Sequence, residues 1–460
     1  MIPHKTTGRI FGWFLLGAIG TMVLTGWRGC TPEAPRSAPG MSAPPARLVI
    51  LTPHSELIRE VFGAEFSAWH QKNHGQFMDI QWIPMGTVDC LDYVNRLSES
   101  AGESSVRVRP DLLFGGGIME HDFLVQRGQA EPLDLKDALA DIPETILGLP
   151  TREANGHWHA TAFSGFGILF NRRACEQRAV PAPTTWADLA LPEYYGWVTL
   201  ADPGHSGSNR QCLTLILQKY GWEEGWSIIL RMAANSRALL QNSGDVITAV
   251  RDGVALAGLS ASFTAMQEIE QSAGRLSYAN PPAASAVTPD VITVLKGAEN
   301  REVAERFVRF CLSESGQVLW GVRAEARRGY RDTLYRYPVL PAVYEKHAGE
   351  MAVAENPLAM KSDLELDLER AVKQWDIVAP LLWAAAGENG ILLQKCWKRL
   401  IDAGLPPETV AALTRPPFSE DEAYTLGAKA AAGGPEADAL VADWTRQFRE
   451  RYEQVLAALQ

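Results

Sequence analysis

Residues 110–117 read Pro110-Asp111-Leu112-Leu113-Phe114-Gly115-Gly116-Gly117, a short apolar run that stops on three glycines. Such a run fits a strand buried on both faces, as in a parallel sheet, and the glycines permit a tight exit at its carboxyl end. Upstream, RLVILT at residues 47–52 has the same character. It is followed by residues 55–73, where Leu57, Ile58, Val61, Phe62, Phe66 and Trp69 fall on one face of a helix. A second strand is predicted over 78–83 and a helix over 90–97. Strand alternating with helix predicts an α/β unit with a parallel sheet and crossover helices. Ligands of such sheets bind beyond the carboxyl ends of the strands.

Downstream the pattern continues in a second set of units. Residues 157–171, HWHATAFSGFGILFN, are extended and rich in small residues, as a crossing between two lobes would be. Residues 196–200 (GWVTL) open the second set, and the loop 202–209 leads into an apolar helix over 212–219. Residues 241–245 precede a helix over 246–251, and 254–259 read as a strand. The chain then returns to the first lobe through a strand at 290–295 and a helix at 302–313. Beyond residue 341 it is mostly helical, with strong periodicity over 437–459, and no repeat of solenoid period is present.

Bulk composition narrows the class. The 460 residues are 46% hydrophobic and 21% charged, with a net charge of −11. This is globular usage, and the acidic total argues against a nucleic-acid-binding surface. Lys5 and Arg9 precede an uncharged apolar run at residues 10–27, which reads as an export signal or an uncleaved membrane anchor. Gly29-Cys30 then suggests lipidation at Cys30, although Trp27 and Arg28 are poor occupants of a lipoprotein processing site. A Pro/Ala-rich stretch follows, which reads as an extended tether. The cysteines at 30, 90, 175, 212, 311 and 396 form no CxxC or Cys/His cluster. They are expected to be mostly buried free thiols, with room for one disulfide.

Five stretches in order resemble the family 1 extracellular solute-binding proteins, in their ferric-ion-binding-protein-like branch. They are Thr52-Pro53-His54-Ser55-Glu56, PDLLFGGG at 110–117, GILFNRR at 167–173, PTTWADLALPEYYGWVTLADPGHSGS at 183–208, and AERFVRFCLSESGQVLW at 304–320. The resemblance covers residues 47–335. It implies the type II periplasmic-binding-protein fold, two α/β lobes joined by a hinge, here with a helical C-terminal extension. The implied division is a signal or anchor at 1–29, a tether at 30–46, lobe 1 at 47–160 and 281–340, lobe 2 at 161–280, and a helical region at 341–460. It also implies a monomeric, membrane-tethered binding component on the outer face of the cytoplasmic membrane. That component would capture a small anionic ligand for an ABC permease in the inner membrane, with no cofactor and no nucleic acid. Two alternatives stay open: a ferric-ion-binding protein, and a tethered sensor or partner-binding module using the C-terminal helices.

Because the lobes of this fold close on their ligand, binding groups are expected from loops of both. His54 and Ser55 lie between a strand and a helix, where Ser55 would also serve as a helix cap. Gly115, Gly116 and Gly117 would let backbone approach a ligand. In the second lobe Ser206, Gly207, Ser208 and Asn209 combine small hydroxyl residues with a helix start, which suits phosphate or carboxylate. Ser243, Gly244 and Asp245 repeat that chemistry, and Phe163, Ser164, Gly165, Ser260 and Ser262 are further candidates. Ferric-ion-binding relatives use a His, a Glu and a tyrosine pair. Here only His54 matches, and Ser262-Phe263-Thr264 falls where the tyrosines would lie. His157-Trp158-His159 reads as a solvated strand rather than a metal site, and Glu120-His121-Asp122 as a helix start with surface charge. No GxSxG, HExxH, P-loop or dinucleotide fingerprint is present, so no enzyme is expected.

Overall fold

The structure, a computed structural model, describes residues 44–99, 108–327, 329, 331–362 and 364–459. The export segment, Cys30 and the tether through residue 43 lie outside the described residues. The chain opens with β1 (Ala46–Thr52), α1 (Glu56–His74), β2 (Met78–Pro84), α2 (Thr87–Glu99), β3 (Leu112–Phe114) and α3 (Ile118–Gln126). Next come β4 (Ala130–Glu131), the small pair β5 (Thr145–Ile146) and β6 (Leu149–Pro150), then β7 (His159–Ser164). The second set is β8 (Phe166–Asn171), α4 (Arg172–Arg178), β9 (Val198–Ala201), α5 (Gly207–Asn235), β10 (Ser236–Leu240), α6 (Ser243–Arg251), β11 (Ala257–Ala261), α7 (Ser262–Gln271) and β12 (Leu276–Ala279). The return consists of β13 (Thr288–Leu295), α8 (Arg301–Leu312), α9 (Glu314–Gly321), β14 (Tyr337–Pro338) and α10 (Pro341–Lys346). The chain closes with α11 (Leu368–Leu382), α12 (Gly390–Asp402), α13 (Pro407–Thr414), α14 (Glu420–Ala431) and α15 (Pro435–Ala458).

Two sheets result. The first runs β14-β7-β13-β3-β1-β2, with β4 also on β13, and the second runs β10-β9-β11-β8-β12. Strands β1, β2 and β3 are parallel, as the unbroken apolar runs of β1 and β3 predict. The returning strand β13 instead lies antiparallel to β3 and β7, so the sheet is mixed. The second sheet is mixed in the same way, with β8 antiparallel to both β11 and β12. The chain passes from the first sheet to the second at Gly165, just beyond the expected 160/161 boundary, and returns between β12 and β13. These two crossings form the hinge of the two-lobed type II periplasmic-binding fold.

Aromatic packing holds the first lobe. Phe62 lies 4.3 Å from Trp320, and Phe114 lies 5.2 Å from Phe307 between ring centroids. The second lobe shares one hydrophobic core with the C-terminal helices: Trp222, Trp226 and Leu230 of α5 meet Ile377, Leu381, Trp397, Trp444 and Phe448. Trp397 Nε1 donates to Asn235 Oδ1 at 2.7 Å, and Trp222 Nε1 to the Phe418 carbonyl at 2.9 Å. The region expected as one unit over 341–460 therefore divides. Val343, Tyr344 and Met351 pack into the first-lobe core, and helices α11–α15 pack onto the second. The chain thus crosses between lobes a third time, ahead of α11. Cys90, Cys175, Cys212, Cys311 and Cys396 are buried free thiols, and the disulfide that composition allowed does not form among them.

Candidate functional site

A cavity of about 520 Å³ lies between the two sheets, lined from both lobes. The starts of five helices face it: Ser55 ahead of α1, Thr87 of α2, Gly117 ahead of α3, Ser206 ahead of α5, and Asn242 with Ser243 at α6. Local sequence explains these starts. Ser206 Oγ accepts the Asn209 amide at 3.3 Å, and Asn242 Oδ1 accepts the Asp245 amide at 3.0 Å, as short polar side chains do at helix caps. Converging helix N-termini present unpaired N–H groups and partial positive charge, a setting that favours anions.

The second-lobe wall carries three serine hydroxyls in one cluster. Ser243 Oγ lies 2.7 Å from both Ser206 Oγ and Ser208 Oγ. Gly207 is where the lobes touch: a β-carbon there would stand 2.9 Å from Glu120 Oε1 and 3.0 Å from Thr87 Oγ1. At the rim, His205 Nδ1 meets Asp89 Oδ1 across the cleft at 3.2 Å. Gln211 joins Gly207 and Ser208 in facing the cavity, as i+3 and i+4 positions on a helix do.

The first-lobe wall is built around a buried charge cluster. Asp290 Oδ2 accepts from His54 Nε2 at 2.9 Å and is paired with the Arg336 guanidinium, while Asp290 Oδ1 accepts the Gly116 amide at 3.0 Å. Burial alone would raise the Asp290 carboxyl, but Arg336 and then His54 outweigh it and hold it below the usual carboxylate range. Burial pushes the His54 imidazole below its ordinary value against the pull of Asp290. Arg336 also lies over the Phe263 ring of α7 at 3.8 Å, joining the two lobes. Glu120 Oε2 accepts the Gly117 amide at 3.1 Å, and burial pushes its carboxyl up. Four polar atoms of cavity-lining residues are buried and have no partner among the described residues: His54 Nδ1, Ser164 Oγ, Gln211 Nε2 and Arg336 Nε. Buried polar groups are almost always paired, so these four atoms are exceptions beside the cavity.

The structure brings together His54, Ser55, Gly116, Gly117, Ser164, Ser206, Gly207, Ser208, Ser243, Gly244 and Ser260 around this cavity. Six candidates fall elsewhere. Gly115 lies behind the His54 ring, where a β-carbon would come within 2.6 Å of Nε2, and its φ of +103° is one that glycine adopts freely. Phe163 is core. Gly165 and Ser262 bind each other across the crossing, the Gly165 amide donating to Ser262 Oγ at 3.1 Å. Asn209 Oδ1 turns inward to the Ala201 amide, and Asp245 bonds Asn242 Nδ2 at the surface.

Two surface assignments need correction. Glu120 and His121 are buried, not exposed, because α3 lies against β13: His121 Nδ1 meets Thr293 Oγ1 at 2.6 Å. Trp158 and His159 are buried too, and Trp158 Nε1 donates to Asp122 Oδ1 at 2.7 Å, so this strand is core rather than solvated. Among the described residues no group of three or more His, Cys, Asp or Glu could hold a metal ion.

Sequence reading missed Glu120, Asp290, Arg336, Gln211, Phe263 and Trp375 as cavity residues. Asp290 had a signal, a lone acid opening the apolar run 291–295. Arg336 and Trp375 had none, since only long-range packing brings them to the cleft.

Two α/β lobes crossed by the chain at a hinge, with a polar cavity between them, are the architecture of the type II periplasmic-binding fold. The sequence model of the bacterial extracellular solute-binding protein family matches residues 110–322. The chain is 29% identical over 279 residues to the phosphoglycerate transport regulatory protein PgtC of Salmonella typhimurium, a match covering 58% of this chain. The chain spans about 65% of the length of that relative. In structure it is similar to the periplasmic binding protein AfuA of Actinobacillus pleuropneumoniae, solved with fructose-6-phosphate bound. That likeness has a TM-score of 0.56 at 18% identity and covers 78% of this chain and 99% of the other. The apo ferric ion-binding protein A of Pasteurella haemolytica aligns with a TM-score of 0.55 at 18% identity, over 73% of this chain and 96% of its own.

Proposed function

We propose that this chain is the extracytoplasmic solute-binding component of an ABC importer and that it captures a small organic anion between its lobes without chemical change. One observation carries the reading. Five helix N-termini and the Ser206, Ser208 and Ser243 hydroxyls converge on a cavity whose lining arginine, Arg336, is already paired with Asp290. An anion held by dipoles and hydroxyls satisfies that wall, whereas a metal cation does not. For iron, His54 is committed to Asp290 beside a guanidinium, and Phe263 lies under that guanidinium where a tyrosine ligand would be needed. The names of PgtC and of the AfuA complex, phosphoglycerate and fructose-6-phosphate, favour organic phosphates within this class.

In this reading the chain is a monomer held at the outer face of the cytoplasmic membrane by its N-terminal segment, through lipid on Cys30 or as an uncleaved anchor. Lipid label on the wild type that Cys30→Ala abolishes marks the lipidated form, and an unlabelled wild type that stays with the membrane marks the uncleaved anchor. The function is tested by mass spectrometry of ligand co-purifying with native protein, with metal analysis of the same sample. An organic phosphate or carboxylate is expected. Stoichiometric iron with no organic anion sinks the reading.

A second reading, a tethered sensor, draws on the helices α11–α15 and on the regulatory role in PgtC's name. Ile391 on α12 is 87% exposed. If these helices engage a partner, Ile391→Glu should abolish crosslinking to it while leaving ligand binding intact; transport-only function predicts no such partner.

A further inference from the structure

We infer that the C-terminal helical layer supplies a wall of the ligand site, and that Trp375 selects an anion carrying a carbon skeleton over a bare inorganic one. This rests on the reading of the cleft as an anion site. The layer reaches the cavity through α11, which packs along α5, the helix whose start bears Ser206 and Ser208 of the serine cluster. Gln218 Nε2 donates to Gln374 Oε1 at 2.8 Å, and Arg370 pairs with Glu420 at 2.6 Å, so α11 is fixed to both α5 and α14. Arg210, on the first turns of α5, donates to the Trp375 carbonyl from Nε at 3.0 Å and from Nη2 at 2.6 Å. Its guanidinium carbon stands 4.7 Å from the Trp375 ring centroid. The indole is thereby set relative to the anion end of the cavity, and it is only 8% exposed.

Size and chemistry agree on the occupant. About 520 Å³ is far more than an oxyanion needs, since a water molecule's share of liquid is roughly 30 Å³. Apolar side chains line the remainder: Met85, Phe166, Ile247, Phe263 and Trp375. The unpartnered Gln211 Nε2 offers a donor on that same helix face, suited to a hydroxyl or carbonyl oxygen of the skeleton. An organic phosphate or carboxylate places its charge on the serines and its C–H surface on the indole. Aromatic walls that contact ligand this way dominate affinity in small sites.

The test is titration calorimetry on the full chain with three probes: inorganic phosphate, 3-phosphoglycerate and fructose 6-phosphate. Wild type, Trp375→Ala and Trp375→Phe are compared, and all three keep the backbone carbonyl that Arg210 binds. Trp375→Ala should lose roughly ten-fold or more in affinity for the better organic phosphate while its inorganic phosphate affinity stays within about two-fold, as a truncated aromatic hot spot would. Trp375→Phe should retain most of the preference. If Trp375→Ala melts without cooperativity, the same discrimination is read from Trp375→Phe against Trp375→Leu. An organic phosphate affinity unchanged by loss of the ring, or organic and inorganic affinities falling in equal proportion, overturns the inference. A folded wild type that binds none of the three probes instead sinks the anion reading of the cleft, and this inference with it.

Discussion

Replacing Arg336 with methionine removes the one guanidinium paired with Asp290 at the floor of the first-lobe wall. The side chains of Arg336 and Asp290 are only 5% and 8% exposed, so water cannot take over the lost interaction. Breaking a buried pair by deleting one partner costs about 3–5 kcal/mol, because a desolvated charge is left behind. Asp290 would keep two hydrogen bonds, from His54 Nε2 at 2.9 Å and from the Gly116 amide at 3.0 Å, which places the expected loss near the lower end, about 3 kcal/mol. Urea unfolding at neutral pH, followed by tryptophan fluorescence, reads this directly. The double variant Arg336→Met with Asp290→Asn removes both charges and should recover most of the loss, giving a coupling of at least ~1 kcal/mol. The sign with pH follows from the depressed Asp290 value. In wild type its contribution is present above the unfolded carboxylate value of about 3.9 and is lost as pH falls through the lower folded value. Below both values Asp290 is neutral in either protein, and wild type then carries an unpaired guanidinium, so the gap between wild type and Arg336→Met should narrow on acidification. A loss under ~1 kcal/mol at neutral pH, or strict additivity of the two changes, refutes the pair as the anchor of this wall.

Burial holds His121 neutral with its pKa lowered to about 4, so the stability it contributes is present above its unfolded value of about 6.5 and is lost as pH falls from there toward 4. His121→Gln should therefore flatten the pH dependence of the unfolding free energy across that window by up to one proton's worth, about 1.4 kcal/mol per pH unit, with His159 and His54, both lowered by burial, sustaining the slope that remains. An unchanged slope counts against a neutral buried His121. Ser208→Val keeps the α5 cap, which belongs to Ser206, and should weaken anion binding by roughly ten-fold in calorimetry, the worth of a hydrogen bond to a charged group; unaltered affinity rejects the serine cluster as the anion end. Deleting residues 368–459 should yield aggregated protein or one that binds hydrophobic dye strongly, since Trp226, Ile229 and Leu230 would lose the helices packed on them; a soluble, cooperatively melting product would show that the second lobe closes its own core.

Periodicity and residue type were enough to determine the alternation of strand and helix, the apolar strands β1 and β3, and the helix start at Ser55, because these depend on neighbours a few positions away; the helices read over 212–219 and 246–251 begin earlier, at Gly207 and Ser243. The same local rules found much of the second-lobe wall: a cap serine and a small residue at a helix start are legible from the sequence itself. The tertiary structure alone decided the rest. Whether Glu120 and His121 face water or β13 depends on packing between distant segments, and three-residue charge runs look the same in either case. Asp290, Arg336 and His54 lie far apart along the chain and meet only because β13 inserts between β3 and β7 while the chain leading into β14 folds back beside them. The C-terminal helices read as an appendage, since amphipathic periodicity shows that a face is buried but not against what. Their apolar faces complete the core of the second lobe, and that docking carries Trp375 to the cavity between the lobes.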